Sequence, residues 1–113
     1  MGQLYVGDSG KTLRVNAGFD MSSYTELSLV FTKPDNTTVT KTTTDGVTLG
    51  TTTITDDDLG SLTANQYVYY DFEVGVLDTA GRWCVHLIYT NTGASPNDVF
   101  NGAPGHFTVK ELC

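Results

Sequence analysis

The chain is short of the residues that announce the commoner kinds of site. Lys and Arg number six against thirteen Asp and Glu, for a formal charge of −7. The cations, Lys11, Arg14, Lys33, Lys41, Arg82 and Lys110, stand singly along the sequence. A phosphate backbone is held by clustered cations and repelled by an acidic surface, so no nucleic-acid partner is expected. No apolar run approaches the ~18–20 residues that span a bilayer. The opening Met1-Gly2-Gln3-Leu4-Tyr5 has no basic stretch leading into an apolar one. Gly2 fails as a myristoylation acceptor, because Val6 stands where Ser or Thr is required. These absences predict a protein made in a cytoplasm, with no membrane partner.

Cysteine and histidine are equally scarce, two of each, at no zinc-finger spacing. A nucleophile elbow, a phosphate loop and a His-Glu-x-x-His helix are all missing. No catalytic residue, metal or cofactor is therefore expected, and the reading is of a protein that is not an enzyme. Three carboxylates do stand together at Asp56-Asp57-Asp58. Adjacent residues rarely converge on one ion, and no Gly-containing loop with a later bidentate Glu follows, so a capped surface turn is expected rather than a calcium site.

What is abundant is threonine, with Val, Tyr and Phe beside it. These side chains suit a pleated, half-buried surface and lose rotamer freedom in a helix. Short extended segments alternate with turn chemistry along all 113 residues. The predicted strands are Leu4 to Val6, Thr12 to Ala17, Glu26 to Lys33, Thr37 to Thr42, Val47 to Leu49, Thr52 to Ile54, Tyr67 to Val76, Arg82 to Tyr89 and His106 to Leu112. Lys33-Pro34-Asp35-Asn36 and Asp45-Gly46 read as turns. Thr55 to Leu59 reads as a single helical turn capped by Thr55 or Asp56. Seven to nine strands, each with one apolar face, predict one all-β domain over residues 1–113, an antiparallel sandwich of two sheets.

Within that frame Trp83, Val85, Leu87 and Tyr89 share one face, which leaves Cys84 and His86 on the other. His86 and His106 are candidates for ligands or general bases, and His86, on the face opposite Trp83, reads instead as a surface or intersheet histidine. Asn91 to Pro104 reads as a long polar loop carrying Val99 and Phe100, two apolar residues suited to anchoring a neighbouring subunit or equally to tucking onto their own domain. Tyr69 and Tyr70 must face opposite sides of their strand, and Tyr70 is taken as the exposed interface candidate. If the last two strands form a hairpin, Cys84 and Cys113 come within reach of a disulfide, which needs Cα atoms about 7 Å apart or less. Free thiols and a disulfide between subunits stand ahead of that intrachain bridge.

Two sets of residues carry resemblances. Asp78-Thr79-Ala80-Gly81-Arg82-Trp83 resembles the immunoglobulin-like corner, in which Asp and Gly introduce a strand whose early aromatic packs over the core edge. Trp83 stands where that corner usually has Tyr, and Val85 where the cysteine of antibody domains would fall. More widely, the chain is similar to small immunoglobulin-like structural proteins of tailed phages, notably the N-terminal module of baseplate upper proteins. The matching segments are Tyr5 to Gly10, Phe31 to Thr37, Leu77 to Trp83 and Gly105 to Val109, in family order. The resemblance implies a virion protein at the neck, collar, tail or baseplate, in contact with other virion proteins and with copies of itself. A carbohydrate- or receptor-binding module and a capsid decoration protein are the alternative expectations.

Overall fold

Strand Gly81–Asn91 (β9) is the spine of the fold, and its sequence explains why. Over eleven residues its odd-numbered side chains from Trp83 to Tyr89 are buried and its even ones are not, the period-two pattern that hides one face of a sheet. The computed structural model describes residues 2–112. Within it β9 pairs antiparallel with Glu26–Thr32 (β3), which itself pairs with Thr38–Thr42 (β4) through the Lys33 to Asn36 turn. On its other side β9 pairs with Asp98–Asn101 (β10) and then with Gly105–Lys110 (β11). From Asn101 to Gly105 the returning chain takes four steps while β9 takes three, from Ile88 to Val85. One extra residue is therefore bulged out around Gly102 to Pro104, where Gly102 N–H still donates to Leu87 O at 2.8 Å.

Leu4–Tyr5 (β1) completes this sheet by pairing with β11 in the parallel sense, so the order is β1-β11-β9-β3-β4 and the sheet is mixed. A second sheet holds Thr12–Asn16 (β2), Thr48–Leu49 (β5) and Tyr67–Asp71 (β8) in the order β2-β8-β5. Ile54–Asp56 (β6) and Gly60–Leu62 (β7) form a separate hairpin. One apolar interior joins the two larger sheets, with Leu13, Val68 and Tyr70 from one side meeting Leu29, Phe31, Trp83 and Val109 from the other. Phe31 is its aromatic centre, with ring contacts to Tyr70, Phe72, Trp83 and Phe107.

The protein is all-β, with one turn of 3-10 helix at Thr43–Asp45, but four expectations are corrected. The parallel β1–β11 pair departs from a purely antiparallel arrangement. Thr55 to Leu59 is a β-hairpin tip, because the Asp56 carboxylate collects the Asp58 and Leu59 N–H groups and Gly60 takes φ +78°. The strand starting at Tyr67 ends at Asp71, and the chain then turns through Gly75 at φ +87°. The long loop contains β10, tied edge to edge onto β9.

Candidate functional site

The candidate site begins with the hydrogen-bond phase of β2. Phe72 N–H donates to Lys11 O at 2.9 Å and Ala17 N–H to Gln66 O at 2.8 Å, one at each end of the β2–β8 ladder. Bonded pairs alternate along an antiparallel ladder, so Leu13 and Val15 exchange bonds with Tyr70 and Val68. The N–H and C=O groups of Thr12, Arg14 and Asn16 consequently point the other way, to an edge against which no described strand pairs.

A cleft of about 270 Å³ runs beside that edge. Leu13 to Asn16 form one side, Val85, Ala103 and Gly105 to Phe107 the opposite side, and Asp56, Asp58 and Leu59 of the hairpin tip the lip. The gap exists because β2 and β11 are neighbours in space but belong to different sheets. Leu59 stands half exposed on the lip. Small-ligand pockets usually enclose roughly 300–1,000 Å³, so this space is small and open for a buried small molecule.

Electrostatics centre on one ion pair. Arg14 Nη1 donates to Asp56 Oδ1 at 3.0 Å, with the Asp56 side chain only 5% exposed. Asp56 Oδ2 accepts Asp58 N–H at 2.9 Å and Leu59 N–H at 3.0 Å. Burial pushes this carboxyl up, but the two backbone donors and the guanidinium together outweigh burial and hold it below the ordinary carboxylate value. The lowered value reports a charge that is wanted for architecture. Asp56 ties the hairpin to β2 and so shapes the cleft.

The other residues singled out by sequence lie elsewhere, apart from His106, which lines the cleft on an exposed position of β11. Tyr70 is corrected as an exposed candidate: it is fully buried against Phe31 and Phe72, and Tyr69 is the outward member of the pair. Burial, with the Glu73 charge, pushes the Tyr70 hydroxyl above its usual value, and that hydroxyl has no well-aligned hydrogen bond. Val99 is 54% exposed on β10, whereas Phe100 turns inward to make an edge-on contact with Phe19, centroids 4.8 Å apart. His86 sits across from Val30 on the outer face of β9, and the β9–β11 register sets His106 opposite Cys84. Cys84 is a free thiol, and Cys113 lies outside the described residues.

At the corner, Asp78 Oδ2 accepts Lys33 Nζ at 2.9 Å, and Trp83 Nε1–H donates to Thr79 O at 2.9 Å. Gly81, at φ +129°, lies so close to Pro34 that an added Cβ would come 2.7 Å from Pro34 Cγ. These contacts fasten the start of β9 to the Pro34 turn, far along β9 from Val99.

Sequence reasoning missed Arg14, Leu59 and the edge of β2 against which no described strand pairs. The alternation of Leu13 and Val15 with Arg14 and Asn16 was visible, but nothing in it says which strands lack a neighbour. Among the described residues no three His, Cys, Asp or Glu side chains gather as a metal-binding set, and no helix is long and apolar enough to cross a membrane. No family model, curated protein or solved structure matches the chain.

Proposed function

We propose that the chain is a protein-binding assembly module on an immunoglobulin-like β-sandwich, a structural component of a tailed-phage virion that works by contacts with other virion proteins and with copies of itself. The carrying observation is the strand order. In the immunoglobulin-like layout the second, fifth and fourth strands share one sheet, while the seventh, sixth and third share the other with an added edge strand in variable-type domains. Here β2-β8-β5 faces β11-β9-β3-β4 in that order. The Trp83 indole bonded back to Thr79 O is the counterpart of the corner tyrosine, whose hydroxyl bonds to backbone a few residues upstream. The phage assignment is supported by the ordered similarity of Tyr5 to Gly10, Phe31 to Thr37, Leu77 to Trp83 and Gly105 to Val109.

Function by contact draws on the cleft chemistry: its buried carboxylate is committed to three donors that fix the hairpin tip against β2. The test is gold labelling of purified phage particles with antibody raised against this chain, together with deletion of its gene. Labelled particles, and incomplete ones on deletion, are the expected outcome. Complete, infectious and unlabelled particles would remove the virion assignment.

A further inference from the structure

We infer that the outer face of the larger sheet is where two copies of this chain meet, face to face, with β9 of one running against β9 of the other. This names the surface behind the self-contacts proposed above and rests on that reading.

The two sheets differ in what lies over their outer faces. On the smaller sheet Arg14 is tied to Asp56 of the β6–β7 hairpin, and Tyr67, which shares the outward parity of Asn16, is only 4% exposed with its hydroxyl donating to Thr52 O. That face is already covered in part by the chain itself. On the larger sheet every outward side chain of β3, β4, β9, β10 and β11 keeps some exposure, and Val99 reaches 54%. The strand registers set Cys84, Val30, Ile88 and Val99 as successive diagonal neighbours, an apolar band crossing β3, β9 and β10 with Thr32 and Thr40 beside it.

Charge favours a copy as the occupant. The chain has thirteen acids, yet in the six strands of this sheet only Glu26 and Asp98 occur, and Asp98 has the parity of the inward-turned Phe100. Like-charge repulsion opposes contact between copies that each carry −7, and the outward positions of this face are free of it except at the Glu26 end. There the Thr43 hydroxyl and N–H hold the Glu26 carboxyl below its ordinary value, so it is charged at neutral pH. The opposite end carries Arg82, exposed and in no ion pair among the described residues. Glu26 lies opposite Thr90, and His86 is midway between Arg82 and Thr90 on β9. A two-fold axis in the contact plane that crosses β9 at His86 therefore brings Arg82 of each copy to the Glu26 end of the other, and Cys84 over Ile88.

The area is sufficient. Four strand columns about 4.8 Å apart, each about 27 Å long over the Arg82 to Thr90 run, give roughly 500 Å² per copy. The pair then buries about 1,000 Å², the lower limit for a specific interface, so a weak dimer is expected. Weak contacts of this kind gain strength by repetition in an assembly.

The experiment is sedimentation equilibrium of the whole chain under reducing conditions, from about 5 μM to about 1 mM, where a dimer with a dissociation constant of roughly 1–300 μM should appear. NMR spectra over the same range should show the amides of Val30, Thr40, His86 and Ile88 moving with concentration while those of Tyr69 and Asp71 stay in place, a reading that needs no variant to fold. Ile88→Asp puts a carboxylate at a partly exposed position in the middle of the face and should weaken the dimer by about tenfold or more. Arg82→Glu should weaken it by about threefold, and Leu59→Asp, on the cleft lip, should leave it unchanged. A monomer at the highest concentration overturns the proposal, as does a dimer whose moving amides lie on β2 and β8. Dimers of Ile88→Asp or Arg82→Glu as tight as wild type also overturn it, and so does a dimer weakened by Leu59→Asp. Particles that contain a chain monomeric in solution would end this inference and leave the virion reading standing. A dimer of this geometry formed by a chain absent from particles would do the reverse.

Discussion

Lys33–Asp78 and Arg14–Asp56 each join a strand or turn cation to a turn aspartate, and they do different things. Lys33–Asp78, 2.9 Å apart, closes a corner that is already filled: Trp83 lies beneath it, stacked on Phe107, with the Lys33 ammonium 5.7 Å from the indole centroid. Arg14–Asp56, 3.0 Å apart, ties the hairpin to β2 at the lip of the cleft. Asp78 is about half exposed and Asp56 almost wholly buried, so solvent screens the carboxylate of the first pair more than that of the second. Like chemistry thus seals the apolar interior in one place and leaves a cleft in the other.

The sharpest break of this comparison is Trp83→Ala. The side chain is fully buried, and its removal should cost about 3–5 kcal/mol in urea unfolding. A loss below about 1 kcal/mol would mean that the corner is not part of the cooperative core.

Asp56→Asn comes next, at about 2 kcal/mol, since charged hydrogen bonds from Arg14, Asp58 and Leu59 are weakened together. The sign of its pH dependence follows from the lowered carboxyl. A group with a folded value below its unfolded one stabilises fully above the unfolded value, near 3.9, and loses that contribution as pH falls through the folded value. Between about pH 5 and pH 2 the wild-type chain should therefore lose more stability than Asp56→Asn, because the variant lacks this titration. Parallel curves would show that the ion pair contributes nothing.

Asp78→Asn should cost no more than about 1 kcal/mol, as expected of a pair whose acid is half exposed. The same variant in 1 M salt should be nearly indistinguishable from wild type, because screening removes what little the pair contributes. Leu59→Ser closes the series: a change within about 0.5 kcal/mol in urea, since the side chain is half exposed and sits on the lip. A larger cost would make Leu59 part of the core and not of the lip.

Much of the fold was legible because strand periodicity is local. Trp83, Val85, Leu87 and Tyr89 read as one buried face from spacing alone, and the Pro34 and Asp45-Gly46 turns read from their own chemistry. The errors share a cause. Thr55 to Leu59 has the composition of a helix cap, and the same Asp56 that would cap a helix closes a hairpin tip with the same two N–H bonds. Tyr69 and Tyr70 are equivalent in sequence, and only the phase of β8 between β2 and β5 puts Tyr70 inside. The segment Asp98–Asn101 pairs because the end of β9 lacked a partner on that side, a condition set by residues far away.

The alternation of apolar and polar side chains by itself determined an all-β chain, the inward face of β9 and the aromatic-lined core, because burial of a strand follows from neighbours two residues apart. Tertiary structure alone decided that β1 runs parallel to β11, that Arg14 meets Asp56 across 42 residues of sequence and that no described strand pairs with the outer edge of β2. The physical reason is that a strand's pattern specifies which face is apolar but carries no record of which strand, if any, completes its hydrogen bonds on either side.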